Sequence, residues 1–131
     1  MMAAFYAEEG LPYDAAAKRA VAARLLAEPA WGGAWFLLDG GIPAGYLALT
    51  LCFSIEFGGP IAFIDELYVL PAHRSRGLGR GALELAAGLA RERGAVRLAL
   101  EVAPHNPRAR ALYERAGFAA RPYQMMTRPL D

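Results

Sequence analysis

The sequence holds a single cysteine, Cys52, so no internal disulfide can staple the chain, which fits a reducing cytosol. Its two histidines, His73 and His105, fall in loop-like stretches without paired ligands, so no metal site is expected. Long apolar runs are missing: stretches such as 46–53 are far too short to span a bilayer. The start, Met1 to Tyr6, lacks the basic segment and apolar core of a signal peptide. No repeat or low-complexity tract occurs. The formal net charge is only +1, so neither a nucleic-acid surface nor a membrane surface is expected, although arginines gather at 74–80 and 91–97. What is abundant is apolar: 56% of the 131 residues are hydrophobic, enough for one packed core and too short a chain for two ordinary domains. A single domain over 1–131 is therefore expected. The richness in Ala, Arg, Gly and Leu resembles the product of a high-GC bacterial genome.

Along the chain, Asp14 can cap a helix over 15–27 with Ala17, Val21 and Leu25 on one face, ended by Glu28-Pro29. Two apolar runs, 34–38 and 44–52, flank the turn signal Asp39-Gly40-Gly41 and read as a β-hairpin. A loop over 54–60 precedes a strand over 61–69. After a short loop at 71–75, Leu78, Ala82, Leu85 and Leu89 predict a helix to about Arg93, closed by Gly94. A strand over 95–102 follows. Asn106 as N-cap, Pro107 at the first helical position and Gly117 beyond the end bound a helix over about 107–116. Residues 118–120 and 123–127 read as a last strand or hairpin. The order predicts an α/β fold: a mixed sheet, antiparallel at first and ending in a strand–helix–strand unit, flanked by helices.

The strongest chemical signal is Arg74-Ser75-Arg76-Gly77-Leu78-Gly79, set between a strand and a helix. A helix N-terminus leaves backbone N–H groups unpaired and carries partial positive charge. Glycines there let an oxygen-rich phosphate approach the main chain, and Arg74, Arg76 and Arg80 add cations. A diphosphate is the natural guest. Two other readings stand beside it. The glycines can simply relieve crowding between helix and sheet. Residues 77–82 also fit the dinucleotide pattern G-x-G-x-x-A, with Glu101 roughly 20 residues on. Against the dinucleotide reading, a seven-residue loop separates Val69 from Gly77, and an antiparallel hairpin precedes this strand.

Arg74-x-x-Gly77-x-Gly79 resembles the Q/R-x-x-G-x-G/A signature of the GNAT acetyltransferase superfamily. Asp65-Glu66-Leu67-Tyr68-Val69 is similar to that family's fourth strand. Asn106-x-x-Ala109-x-x-x-Tyr113-x-x-x-Gly117-Phe118 resembles its N-x-x-A-x-x-x-Y-x-x-x-G-F segment. Together the three motifs cover about 61–118. The resemblance implies acetyl-CoA as co-substrate and a GNAT fold. It implies that the diphosphate rests on the amides of Arg74, Ser75, Arg76, Gly77, Leu78, Gly79 and Arg80. The pantetheine would follow Leu67, Tyr68 and Val69, with Asn106, Ala109 and Tyr113 across a V-shaped gap between the strands 61–69 and 95–102. A bulge in the fourth strand is expected to open that gap. The family habit also implies a homodimer. One departure is expected at the start: residues 1–6 look like the tail of the family's first helix without the strand that normally precedes it, so either the given start is not the native one or another segment covers the sheet edge.

An amine must lose a proton before it attacks a thioester, and alkyl ammonium groups titrate near ~10.4. Glu66, and after it Asp65, are the carboxylates expected to help. Adjacent strand residues point to opposite faces, so one of the two lines the cleft. Glu66 has two further readings: attraction of a cationic substrate, or pairing with an arginine. Tyr113 is expected to protonate the departing thiolate by its motif position, whereas its i, i+4, i+7 spacing with Ala109 and Ala116 suits core packing. Oxyanion stabilisation is expected from a strand amide near Val69. Cys52 reads as a small core residue. Glu56 is a tentative contact for a cationic acceptor, with Trp31, Trp35 and Tyr46 as walls, or else part of a solvated loop. The activity expected is direct acetyl transfer to a primary amine of a small molecule or peptide. The alternative is an acyl-CoA-binding domain without catalysis. Acidic residues near the cleft point to a cationic amine such as a polyamine or an aminoglycoside.

Overall fold

A computed structural model describes residues 1–130. Two helices lead, α1 (Met2–Glu8) and α2 (Ala15–Ala27). The antiparallel strands β1 (Gly32–Asp39), β2 (Ile42–Ser54) and β3 (Gly59–Val69) follow, then α3 (Leu78–Glu92), β4 (Arg97–Leu100) and α4 (Pro107–Arg115). The sheet order is β1-β2-β3-β4, and only the last pair is parallel. Successive parallel crossovers, which a dinucleotide fold requires, are absent among the described residues.

Local chemistry sets the element bounds. The Asp14 carboxylate accepts from the N–H groups of Ala16 and Ala17, at 2.9 and 3.1 Å, and so starts α2. Asn106 accepts from Ala109 N–H at 3.1 Å and starts α4. Asp39 and Ile42 pair across Gly40-Gly41, both at positive φ, as the turn signal predicts.

One face of the sheet carries the core: Leu37, Leu47, Leu49 and Ile64 pack on Ala82, Leu83 and Ala86 of α3. The buried face of α3 is thus Ala82, Leu83, Ala86 and Ala90, and Leu85 points outward. Small residues let the helix lie close to the sheet, where leucine at each position would hold it off. The opposite face holds α1 over Tyr46 and Tyr68. No residue of α2 is buried, and Val21 is 61% exposed.

Two expectations fail. Cys52 is exposed near the end of β2, because that end of the strand runs beyond the helices. Residues 118–120 and 123–127 form no strand. Gly117 and Pro122 interrupt the segment, and Arg121 draws it to the turn after β2, where it pairs with Glu56 and stacks on Phe57.

Candidate active site

The register between β2 and β3 slips at one point. Ala48 opposes Glu66 and Leu49 opposes Ile64, which leaves Asp65 as an extra residue in β3. This is a β-bulge, and it coincides with the place where β3 loses its other neighbour. β4 pairs with Ile61 to Ile64 and no further. Beyond them the strands diverge, so the outer edge of 65–69 faces open space.

Which main-chain groups face that space follows from strand alternation. Leu70 N–H donates to Ala44 O at 2.8 Å, so Tyr68 and Glu66 also turn their amides to β2. Leu67 and Val69 then present theirs to the gap. On that side Val69 O accepts from Arg74 Nε at 2.8 Å.

The gap is a cavity of about 600 Å³. Asp65, Leu67, Tyr68 and Val69 form one wall, Leu100 to Ala103 and α4 residues including Tyr113 the other, and the loop before α3 closes one end. Ser75 and Gly77 in that loop have φ of +62° and +84°. This alternating hand aims consecutive N–H groups to one side, as in a main-chain anion nest. No group among the described residues accepts a hydrogen bond from the N–H of Ser75 to Arg80. Six donors at a helix N-terminus therefore remain for an anion, and the cavity is large enough to bring one there. Gly79 has a second reason to be glycine: a Cβ there would lie 3.0 Å from Leu112 Cδ2, so it also lets α3 and α4 approach. The crowding expected between helix and sheet is found instead between two helices, and only at Gly79; a Cβ at Gly77 or Gly81 would meet nothing within 4 Å.

The arginines divide differently from the sequence expectation. Arg74 donates to both carboxylate oxygens of Glu8, at 2.8 and 3.0 Å, and lies over the Tyr68 ring. Arg76 pairs with Asp39 at 2.9 Å, beside His73, whose Nδ1 is 2.7 Å from the same oxygen. Both guanidiniums brace the loop against α1 and the β1–β2 turn. Hydrogen bonds from His73 and Arg76 hold the Asp39 carboxyl below the usual range. Arg80, Arg108 and Arg115 line the cavity with no carboxylate paired to them among the described residues, and Arg108 also donates to Ser75 Oγ at 2.6 Å. Arg108 escaped the sequence reading, though its place directly after Pro107 puts it in the first turn of α4.

The two carboxylates separate. Glu66 turns to the α1 face, where it accepts from the hydroxyls of Tyr6 and Tyr46, the latter at 2.8 Å. It does not line the gap. Burial and the charge of Glu66 push both tyrosines upward, so they stay neutral donors. Asp65 does line the gap. Its carboxyl is pushed up by desolvation at the bulge and by the neighbouring Glu66 charge, although part of the side chain reaches solvent. Tyr113 lines the cavity from α4, packed edge-on against Phe118, and burial raises its hydroxyl as well.

Asn106 and Ala109 line the cavity as the motif implied. Glu56 and Trp35 lie elsewhere. Glu56 pairs with Arg121, and Trp35 packs towards the α3 core under Arg93. Glu56 sits in the turn between β2 and β3, and Trp35 on the sheet face that packs on α3, so neither reaches the bulge. No cluster of three or more metal-ligating side chains occurs among the described residues, and no helix there is long and apolar enough to cross a membrane.

Comparison with known proteins accords with this geometry. The family model described as the acetyltransferase (GNAT) family matches residues 2–118. A streptothricin acetyltransferase of Streptomyces lavendulae is 48% identical over 56 residues, which are 43% of this chain and 30% of that protein. The chain thus aligns with less than a third of that relative's length. An integron cassette protein from the mobile metagenome of Cole Harbour Salt Marsh is 34% identical, with a TM-score of 0.83, over 99% of this chain and 80% of the other. The aminoglycoside acetyltransferase AAC(6')-Iy, solved with a bisubstrate analogue of CoA and acetylneamine, shares the fold at 17% identity and a TM-score of 0.78, over 91% of this chain and 82% of the other.

Proposed function

The chain belongs to the GNAT acetyltransferase family, and from that premise we propose that it moves the acetyl group of acetyl-CoA to a primary amine by direct attack. The observation that carries this reading is the continuity of one cleft. Unpartnered amides of 75–80 lie at one end, the open edge of Leu67 and Val69 along its side, and the carboxylate of Asp65 at the bulge.

Each part has a physical task. The loop amides, with Arg80 and Arg108, bind the diphosphate. The main chain of Leu67 and Val69 pairs with the pantetheine amides as an added strand would, which fixes the thioester beside the bulge. Asp65 accepts the proton of the substrate ammonium, directly or through water, and its raised carboxyl makes it a better base than an ordinary aspartate. The amine nitrogen then bonds to the acetyl carbon. The gap-facing N–H of Leu67, the one beside the bulge, stabilises the oxyanion, and that of Val69 is left to the pantetheine. The C–S bond breaks, and Tyr113 protonates the thiolate. Glu66, the first choice from sequence, acts here as the anchor of α1.

The test is a screen of amine acceptors that reads thiol release from acetyl-CoA, run with the wild type and with Asp65→Asn. Release that depends on an amine and collapses in Asp65→Asn supports the reading. Tight CoA binding with no acetylated amine would instead favour a binding domain.

A further inference from the structure

A second, open hollow of about 300 Å³ is lined by Val21, Arg24 and Leu25 of α2, Trp31, Thr50 and Leu51 of β2, and Asp65 of β3. Asp65 is the one residue that lines both cavities. The bulge therefore puts a single carboxylate between the thioester cleft and a separate, mostly apolar hollow. A volume of this order suits a small molecule.

The charges around this junction are balanced. Asp65 and Glu66 are the carboxylates. Lys18 faces both from α2, with its ammonium 4.4 Å from the Tyr6 ring centroid. Arg24 lies six residues further along the same helix, 5.7 Å from the Trp31 ring centroid, with no carboxylate paired to it among the described residues. The other acidic residue expected to draw a cationic acceptor, Glu56, is held by Arg121. A polycation entering here would meet two cations for its two carboxylates. A molecule carrying one amine and one carboxylate on an apolar body would match the site, its amine at Asp65, its carboxylate at Arg24 and its body against Val21, Leu25, Trp31 and Leu51.

We propose that this hollow is the acceptor subsite and that it selects zwitterionic amines with an apolar body, such as amino acids or short peptides, over polyamines. The proposal rests on the acetyl-transfer reading and narrows it. It replaces the cationic acceptor expected from sequence.

The experiment compares matched acceptors: 6-aminohexanoate with hexylamine, leucine with leucinamide, the dipeptide Leu-Leu with its amide, and spermidine. In at least one matched pair, the carboxylate-bearing member should show kcat/KM about tenfold or more above its partner. Arg24→Gln should bring that ratio close to one, and Arg24→Lys should keep most of it. Arg24 is exposed, so both variants should fold. Preference for spermidine or the carboxyl-free amines, or ratios indifferent to Arg24→Gln, would overturn the proposal and leave acetyl transfer standing. If acetyl-CoA binds and no amine is acetylated, both readings fail together.

Discussion

Tyr46, on β2, donates its hydroxyl proton to Glu66, on β3, across 2.8 Å, and so turns that carboxylate away from the cleft and towards α1. Tyr6 of α1 donates to the other oxygen of the same carboxylate. The pair of donors makes Glu66 a clasp between the first helix and the sheet. Glu66→Ala should lower stability by about 1–3 kcal/mol for each hydroxyl left buried without an acceptor. Glu66→Gln, which keeps an acceptor, should lose less stability and retain the wild-type kcat. Thermal melts and steady-state rates check this, and a collapse of kcat in a folded Glu66→Gln would return Glu66 to the chemistry.

Asp65 should behave in the opposite way. Asp65→Asn removes the base and should reduce kcat/KM on the order of 10²–10⁴-fold. Because the folded-state carboxyl is raised, the acid limb of the wild-type rate profile should lie above the ordinary aspartate range. The same shift sets the sign for stability. A raised carboxyl favours folding below its ordinary value, and that contribution is lost as pH rises through the folded-state value. At neutral pH the ionised Asp65 thus burdens the fold. Asp65→Asn should melt slightly higher than wild type at pH 7, and the difference should vanish in acid.

Gly77 holds a φ of +84° with open space around it, so a methyl group there strains the backbone without a clash. Gly77→Ala should cost roughly 1–2 kcal/mol of stability. The loop would relax by redirecting its amides. The loss of one hydrogen bond to a charged oxygen should raise KM for acetyl-CoA roughly tenfold. Titration calorimetry with CoA should show the same loss, and unchanged affinity would detach the loop from the diphosphate.

Tyr113 lines the same cavity as Asp65, and burial pushes its hydroxyl up. Tyr113→Phe preserves the packing against Phe118 and removes only the hydroxyl group that carries the proton. The thiolate is a fair leaving group, so the loss should sit at the low end for acid catalysis, about 10²-fold in kcat, with little change in melting temperature. Rates compared for acetyl-CoA thioesters and better-leaving aryl thioesters should show the deficit shrinking with the better leaving group.

Local signals carried well from sequence to structure. The Asp14 cap, the stop at Glu28-Pro29 and the Asn106-Pro107 start bound their helices where they were expected, because capping acts over three or four residues. The turn at Gly40-Gly41 set the hairpin register. The loop of unpartnered amides at 75–80 and the lining by Asn106, Ala109 and Tyr113 were legible for the same reason, as each lies on a short motif. What could not be read were pairings between residues some sixty positions apart, such as Tyr6 with Glu66 and Glu8 with Arg74, which depend on how α1 docks. They decided which of two adjacent carboxylates faces the cleft. The last strand failed because Gly117 and Pro122 interrupt the segment and Arg121 pairs with Glu56, although the outer edge of β4 stays open.

The central claim is that main-chain donors from Ser75 to Arg80 hold the diphosphate and thereby lay the thioester along Leu67 and Val69. Titration of nitrogen-15-labelled protein with CoA, followed amide by amide, tests it most directly. Saturable shifts concentrated at 75–80, together with Leu67 and Val69, are predicted. Saturable binding that leaves those amides unmoved and shifts another surface would contradict it.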